Sequence, residues 1–283
     1  MSVSFKNIGI AGIGLLGGSI AIRSKQVFGN SVKIIGFSRS PDKLKTLPQS
    51  VVFDDLLSYQ EISSVSQCDL VIICTPVLSI PKIFKLMNPF LNKNAIVTDT
   101  GSTKYEIIKE ISNPMFVGSH PMAGGEKVGF ENSDPSILIG VTCAVTPYNN
   151  ADEQVNEVSE FWGNLGMNVI KLSPEIHDEI SAKTSHSIHV ISFLISFTLS
   201  KTKFSEEKFF NIYGKGLLDT TRISKSDPKM WYDIIATNRE NIKNSLKEFK
   251  KYFEYFENAL DENKLEELES IMIEAKNFRE KLG

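Results

Sequence analysis

The sequence has little that would mark a secreted, membrane-bound or nucleic-acid-binding protein. Of its 283 residues only three are cysteine, Cys68, Cys74 and Cys143, widely spaced and without a C-x-x-C pair. That set argues against a disulfide framework and against a thiolate-built zinc site, and it fits a reducing compartment. An excess of charge of one sign is missing too: 31 lysines and arginines stand against 34 aspartates and glutamates, a formal net charge of −3. Such a balance offers neither the basic footprint that a phosphate backbone selects nor the polybasic cluster that an anionic membrane attracts. No apolar run reaches the ~20 residues of a membrane span. The longest, Ile188–Leu199, is interrupted by His189, Ser192, Ser196 and Thr198. Met1 to Asn7 lead straight into a strand-like run, unlike a signal peptide. The expectation is a soluble, cytoplasmic protein without nucleic-acid or membrane partners. Histidine is scarce as well: His120, His177, His186 and His189 are the four candidates for imidazole chemistry.

What is present is an alternation. Over residues 1–172, short apolar runs at Asn7–Ala11, Val32–Phe37, Leu70–Cys74, Ala95–Asp99, Met115–Ser119, Val141–Thr146 and Asn168–Leu172 alternate with helical stretches. Unbroken apolar runs suit strands buried on both faces. Their order predicts an α/β domain with a doubly wound parallel sheet of the Rossmann type. At Ser173-Pro174-Glu175 a cap oxygen, a pre-set φ and an acid suited to the helix dipole announce a helix. From there the pattern is helical. One helix spans about Pro174–Ser200; a second carries Ile234, Ile235, Ile242, Leu246, Phe249, Phe253 and Phe256 on one face. A last helix carries Leu265, Leu268, Met272, Ala275, Phe278 and Leu282, and Tyr213–Trp231 reads largely as loop. The division is thus a dinucleotide-binding domain, 1–172, and an all-helical domain, 173–283. Ile188–Leu199 is apolar nearly all round its helix, which a domain of about 110 residues seldom buries alone. A homodimer interface through the helical domain is the expected place for it.

Gly12-Ile13-Gly14-Leu15-Leu16-Gly17 follows a strand and opens a helix, the context that turns a G-x-G-x-x-G string into a dinucleotide signal. Gly12 allows the tight turn, Gly14 the approach of a pyrophosphate, and Gly17 close helix–strand packing, with the helix N-terminus supplying N–H groups to the anion. The second strand ends in Ser38-Arg39-Ser40, where an NAD site usually holds an acid for the ribose hydroxyl. An arginine between hydroxyls can grip a 2′-phosphate, so the reading favours NADP over NAD. Thr75 and Pro76 follow another strand and are expected to line the cofactor cleft, as is the run Asp99 to Lys104.

The run Gly118-Ser119-His120-Pro121-Met122-Ala123-Gly124 lies just past a further strand, where the nicotinamide should reach. A histidine there can take a hydroxyl proton as hydride leaves the same carbon. With the loop Gly12 to Ser19, the run Asp99 to Lys104, His177-Asp178 with Ser185-His186-Ser187-Ile188-His189, and Asp219-Thr220-Thr221-Arg222-Ile223 through Trp231, the chain resembles the prephenate/arogenate dehydrogenases of tyrosine biosynthesis over almost its whole length.

That resemblance implies a Rossmann domain followed by a helical dimerisation domain. It also implies oxidative decarboxylation of prephenate to 4-hydroxyphenylpyruvate with hydride transfer to NAD(P)⁺. His120 would accept the C4-hydroxyl proton and Ser102 would orient that hydroxyl. Arg222 would bind a substrate carboxylate, His189 would help hold the substrate, and Glu126 and Asp219 would lie in a polar network at the pocket entrance. Where the family usually reads Ser-His-Leu-Pro-His, Ser187 and Ile188 stand between His186 and His189, which implies a straighter helix. His177 beside Asp178 reads as a hydrogen-bonded structural residue, and His186 with His189 gives no third ligand for a metal. The alternatives are an arogenate dehydrogenase, another reductase of similar build such as a β-hydroxyacid dehydrogenase, or a nucleotide sensor without catalysis.

Overall fold

The computed structural model describes residues 5–125, 127–203, 208 and 211–282 of the chain. Eight strands form one sheet: β1 (Asn7–Ala11), β2 (Lys33–Ser38), β3 (Asp55–Ser58), β4 (Leu70–Ile73), β5 (Ile96–Asp99), β6 (Phe116–Pro121), β7 (Thr142–Thr146) and β8 (Asn168–Lys171). Their order is β3-β2-β1-β4-β5-β6-β7-β8. The first six are parallel; β7 runs antiparallel to β6, and β8 parallel to β7. The strand order steps outward from β1 in both directions, so the crevice at its carboxyl end is the topological switch point where such sheets bind ligands.

The apolar runs alternate between two cores. Ile8, Ile10, Leu70 and Ile72 pack on one face of the sheet, whereas Ala11, Val71, Ile73 and Val97 pack on the other. Burial on both faces is why these strands read as continuous hydrophobic stretches. Two features of the sheet depart from the sequence reading. β3 leaves no periodic signal in the sequence, because Leu56 is its one buried residue. And β6 extends to Pro121, so His120 lies within the strand, opposite Ala144 of β7, and not beyond it. Among the described residues, the connection from β6 to β7 holds only short 3₁₀ turns, Phe130–Asn132 and Pro135–Leu138. These pack against the helix α1 (Leu15–Phe28), where Ser19 Oγ accepts the Asp134 N–H at 2.9 Å.

The remaining helices of the sheet region are α2 (Pro41–Lys45), α3 (Ile80–Met87), α4 (Tyr105–Ile111) and α5 (Asp152–Asn164). Ser173 caps α6 (Pro174–Ser181), its hydroxyl accepting the Ile176 N–H at 3.3 Å. The expected straight helix to Ser200 is instead interrupted by a π turn at Ala182–His186, in which the Ser187 N–H bonds to Ala182, five residues back. Then α7 runs over Ser187–Ser200. Tyr213–Trp231 is not loop: α8 (Lys215–Thr221), a 3₁₀ turn (Arg222–Lys225) and the start of α9 (Pro228–Thr237) occupy it. The start of α9 has a clear chemical signature, Asp227 accepting the Lys229 N–H at 2.9 Å ahead of Pro228 at the first position. The single helix expected to carry both Ile234 and Phe253 is broken at Asn238, whose φ and ψ are −128° and 29°.

The chain forms two compact units, the first reaching Arg239 and the second starting at Glu240. In the first, Trp231 and Ile234 of α9 join the core that Val77 and Ile80 also build. In the second, α10 (Arg239–Asp261) and α11 (Leu265–Glu280) are connected through Asn263 in the left-handed region, φ 54°. Tyr255 donates to Glu267 at 2.9 Å across that pair, and Ala259 and Leu268 are buried. No helix among the described residues is long and apolar enough to cross a membrane.

Candidate active site

The glycine-rich turn between β1 and α1 is shaped by its own backbone. Gly12 has φ +97°, and a Cβ there would lie 2.7 Å from the Cys74 carbonyl oxygen. A Cβ on Gly17 would come within 2.2 Å of the Gly12 carbonyl oxygen, whereas nothing lies within 4 Å of one on Gly14. Gly14 is the N-cap and offers no side chain to the first-turn N–H groups of α1, which an α-helix leaves without internal acceptors. Ile13 and Leu16 are half-buried against the core, and Leu15 is half-buried beside them. At the end of β4 the Thr75 hydroxyl is buried without a hydrogen-bond partner, and the exposed Pro76 caps the next turn. An open backbone cradle at a helix N-terminus and an unsatisfied hydroxyl beside it fit a dinucleotide. At the end of β2, Ser38 Oγ accepts the Ser40 N–H at 3.2 Å, and Arg39 and Ser40 are exposed. No carboxylate occupies the Ser38-Arg39-Ser40 segment.

The ends of β5 and β6 are joined by a buried ion pair that sequence reasoning missed. Lys104 and Asp99 are both fully buried, with the Lys104 ammonium bonded to Asp99 Oδ2 and, at 2.7 Å, to the Ser119 carbonyl. Burial pulls the Lys104 ammonium below its ordinary pKa, and Asp99 opposes that pull. Asp99 also accepts the Gly101 N–H at 2.8 Å and the Ser119 N–H at 3.0 Å. The Ser119 hydroxyl bonds to Thr98 at 2.7 Å and accepts Trp162 Nε1–H at 3.0 Å. The residue before His120 is therefore held through its N–H, its carbonyl and its hydroxyl.

His120 itself is half-buried, and its Nδ1 lies 2.9 Å from Nε2 of His177 on α6. Nδ1 of His177 is 2.8 Å from Asp178 Oδ1. Asp178 in turn accepts the N–H of Lys104 at 2.8 Å and of Tyr105 at 3.0 Å. His177 is thus a direct partner of His120, beyond the structural role its sequence position suggested. Burial pushes the His120 pKa well below the ordinary 6.5, with the neighbouring His177, Lys104 and His186 adding to that. Asn238, at the break after α9, donates to the Asp178 carbonyl at 2.8 Å and to His186 Nδ1 at 3.1 Å. His186 also hydrogen-bonds to the main chain of Ser102, and burial pushes its pKa down to about 4. Ser102, half-buried in the loop after β5, is thereby tied to the helical segment.

His189 accepts no such polar anchor on its ring face. It stacks on Trp231, centroids 4.0 Å apart and planes at 27°, while its Nδ1 lies 3.0 Å from the Ser185 carbonyl. Trp231 is buried, and its Nε1–H has no hydrogen-bond partner. Burial lowers the His189 pKa, and the Arg222 guanidinium is close enough to add to the effect. Arg222 and Asp219 are both exposed, Arg222 just past the end of α8 and Asp219 one turn earlier. The segment holding them is fastened to α7: Ser192 donates to the Thr220 carbonyl at 2.9 Å, and Ser196 bonds Ser224 at 2.8 Å. Glu126 lies outside the described residues.

Two family models cover most of the chain. The nucleotide-binding domain of prephenate dehydrogenase matches residues 21–171, and the dimerization domain of prephenate dehydrogenase matches 173–274. The chain belongs to the prephenate dehydrogenase family. It is 30% identical over 240 residues to the cyclohexadienyl dehydrogenase of Zymomonas mobilis, covering 83% of this chain and 81% of that one. With the prephenate dehydrogenase of Bacillus subtilis it shares 29% identity over 287 residues, covering 96% and 75%. Among solved structures, the prephenate dehydrogenase from A. aeolicus in complex with hydroxyphenyl propionate and NAD⁺ superposes with a TM-score of 0.93, 31% identity and full coverage of both chains. The Synechocystis arogenate dehydrogenase has the same fold, with a TM-score of 0.84 at 23% identity and coverage of 98% and 100%. As a member of the prephenate dehydrogenase family the chain is an oxidoreductase that uses a nicotinamide cofactor.

Of the groups assembled in this family member's site, Asn238 has no place in the sequence reading, while His177, Asp178 and Lys104 stand in its motifs without a catalytic or binding role of their own. The one visible signal was the His177-Asp178 pair, an acceptor adjacent to an imidazole at the start of a helix. Lys104 stands in the run Asp99 to Lys104 expected at the cleft, but nothing local signals its burial against Asp99; Asn238 left no signal, since a helix-breaking asparagine reads as a surface residue until its partners are known.

Proposed function

We propose that the protein is a prephenate dehydrogenase of tyrosine biosynthesis, oxidising prephenate at C4 with loss of the ring carboxylate as carbon dioxide to give 4-hydroxyphenylpyruvate. The observation that carries this reading is the placement of His120. Its Nδ1 is engaged by His177, which leaves Nε2 as the nitrogen that takes the C4-hydroxyl proton. Burial keeps that imidazole neutral and able to accept a proton near neutral pH. Ser102 orients the hydroxyl. Arg222 pairs with a carboxylate of the dianionic substrate, a task suited to the planar guanidinium, while His189, stacked on Trp231, holds the substrate from α7. Asp219 borders the pocket entrance, and the resemblance assigns Glu126 to the same polar network.

Gly12 to Gly17 hold the pyrophosphate of the cofactor, and Thr75 and Pro76 line its cleft. The nicotinamide, when bound, accepts the hydride from C4. Arg39, exposed between Ser38 and Ser40 where an acid would repel a 2′-phosphate, supports NADP as the preferred form. Residues 1–172 are the cofactor-binding domain and 173–283 the helical one, through which the enzyme dimerises. Supporting this, Ile188, Leu194 and Phe197 of α7 are 49%, 54% and 60% exposed in the single chain. Light scattering at micromolar concentration should give the dimer mass, and a monomer would remove the interface. The three thiols are free, in keeping with the reducing cytoplasm.

The deciding experiment crosses prephenate and arogenate against NADP⁺ and NAD⁺ and follows reduced nicotinamide. The highest kcat/KM is expected for prephenate with NADP⁺. Preference for NAD⁺ would show that Arg39 does not grip the cofactor, preference for arogenate would move the substrate, and no turnover at all would overturn the reading.

A further inference from the structure

We propose that His177 and Asp178 are positioning residues that fix the tautomer of His120, forming a relay Asp178–His177–His120 reaching from the helical segment into the sheet. The proposal rests on the reading of His120 as the base. A carboxylate accepts hydrogen bonds and does not donate them. Asp178 Oδ1, 2.8 Å from His177 Nδ1, therefore requires the proton of His177 on Nδ1. The neutral ring then presents a lone pair at Nε2, 2.9 Å from His120 Nδ1. His120 must donate there, and its own lone pair is left on Nε2. The other neighbour of His177 Nε2 is the Ser181 hydroxyl at 3.5 Å, too distant to compete strongly.

Asp178 is held so that it cannot swing away. Its carboxylate oxygens accept the N–H groups of Lys104 and Tyr105, and its carbonyl accepts Asn238 Nδ2. It is buried, as is His177. The charged and titratable groups around His120 are His177, Lys104 and His186. Lys104 is paired with Asp99, and His186 receives the Asn238 amide at Nδ1, which keeps that nitrogen unprotonated. Asp178 is thus the carboxylate that a protonated His120 feels, through one intervening imidazole. When Nε2 takes the substrate proton, the Nδ1–H bond to His177 shortens the reach of that positive charge to the anion behind it. The same arrangement holds the ring against flipping, since a flip would break the bond to His177.

The test reads the tautomers directly. In enzyme labelled with ¹⁵N-histidine, two-bond ¹H–¹⁵N correlations distinguish Nδ1–H from Nε2–H, and four histidines are few enough to assign by substitution. His120 and His177 should both be Nδ1–H; an Nε2–H tautomer at either overturns the relay, whether or not any variant folds. In kinetics, Asp178→Asn should lower kcat roughly 10²-fold, because an amide can donate to His177 and reverse the chain of bonds. The substrate KM and cofactor Kd should stay within about twofold. Loss of the anion destabilises the imidazolium, so the acid limb of the kcat–pH profile should move to lower pH. In a His120→Asn background the same change should cost nothing more. An equal loss in that background would place the work of Asp178 elsewhere and overturn the relay. A His120→Asn enzyme with wild-type kcat would instead overturn the base assignment on which the relay depends.

Discussion

The turn before α1 and the helical stretch after Ser173 meet at the same end of the sheet but are built on different terms. The turn works through main-chain geometry: Gly12 at φ +97°, Gly17 within 2.2 Å of contact, Gly14 open to solvent. The helical stretch works through side chains, His177, Asp178, His186, His189, Trp231 and Asn238, each fixed by a partner distant in sequence. A backbone site needs particular residues at short spacing, because only glycine permits that conformation and approach. A side-chain site needs only the right neighbours in space. The first kind is local and robust to its surroundings, whereas the second depends on burial being complete.

This contrast can be sharpened by substitution. Gly14→Val adds a side chain into empty space, so thermal stability should be unchanged while cofactor Kd rises about 10²-fold, the cost expected for overfilling a fitted contact. Equilibrium dialysis with NADP⁺ and a melting curve together check it, and unchanged affinity would remove the pyrophosphate from Gly14. In the helical stretch the corresponding sensitivity is to pH. The folded pKa of His186 is about 4, below the ordinary 6.5, so its contribution is fully present above pH 6.5 and is lost as pH falls toward 4. The shift corresponds to about 3 kcal/mol. Urea denaturation at pH 7, 5 and 4 should show the loss, and a flat midpoint would mean that His186 is not held neutral. The smallest effect is expected at the exposed edge: Arg222→Ala should raise the substrate KM about 10-fold with little change in kcat, as for loss of one charged hydrogen bond. An unchanged KM would assign the carboxylate to another cation.

Legibility followed the same line. Alternating apolar runs located seven of the eight strands, and the missing one, β3, is a short edge strand with a single buried residue. The stretch Tyr213–Trp231 reads as loop on its glycines, aspartates and threonines, yet Gly214 serves as an N-cap and Asp227-Pro228 starts a helix. There composition outweighed a capping signal that was present. The π turn at Ala182–His186 had no such signal. Without a proline the segment reads as a straight helix, while the folded chain inserts an extra residue into the turn that carries His186. π turns of this kind are often found at functional sites.

The sequence by itself determined the sheet, the phosphate turn and the presence of a histidine at the end of β6, because periodicity, glycine spacing and strand–turn–helix order are properties of neighbouring residues. Only the tertiary structure decided what that histidine touches. The bond from His120 to His177 spans 57 positions and that from Lys104 to Asp178 spans 74. Buried polar groups must find partners wherever packing brings them. That requirement is satisfied across the whole fold, and no local pattern records it.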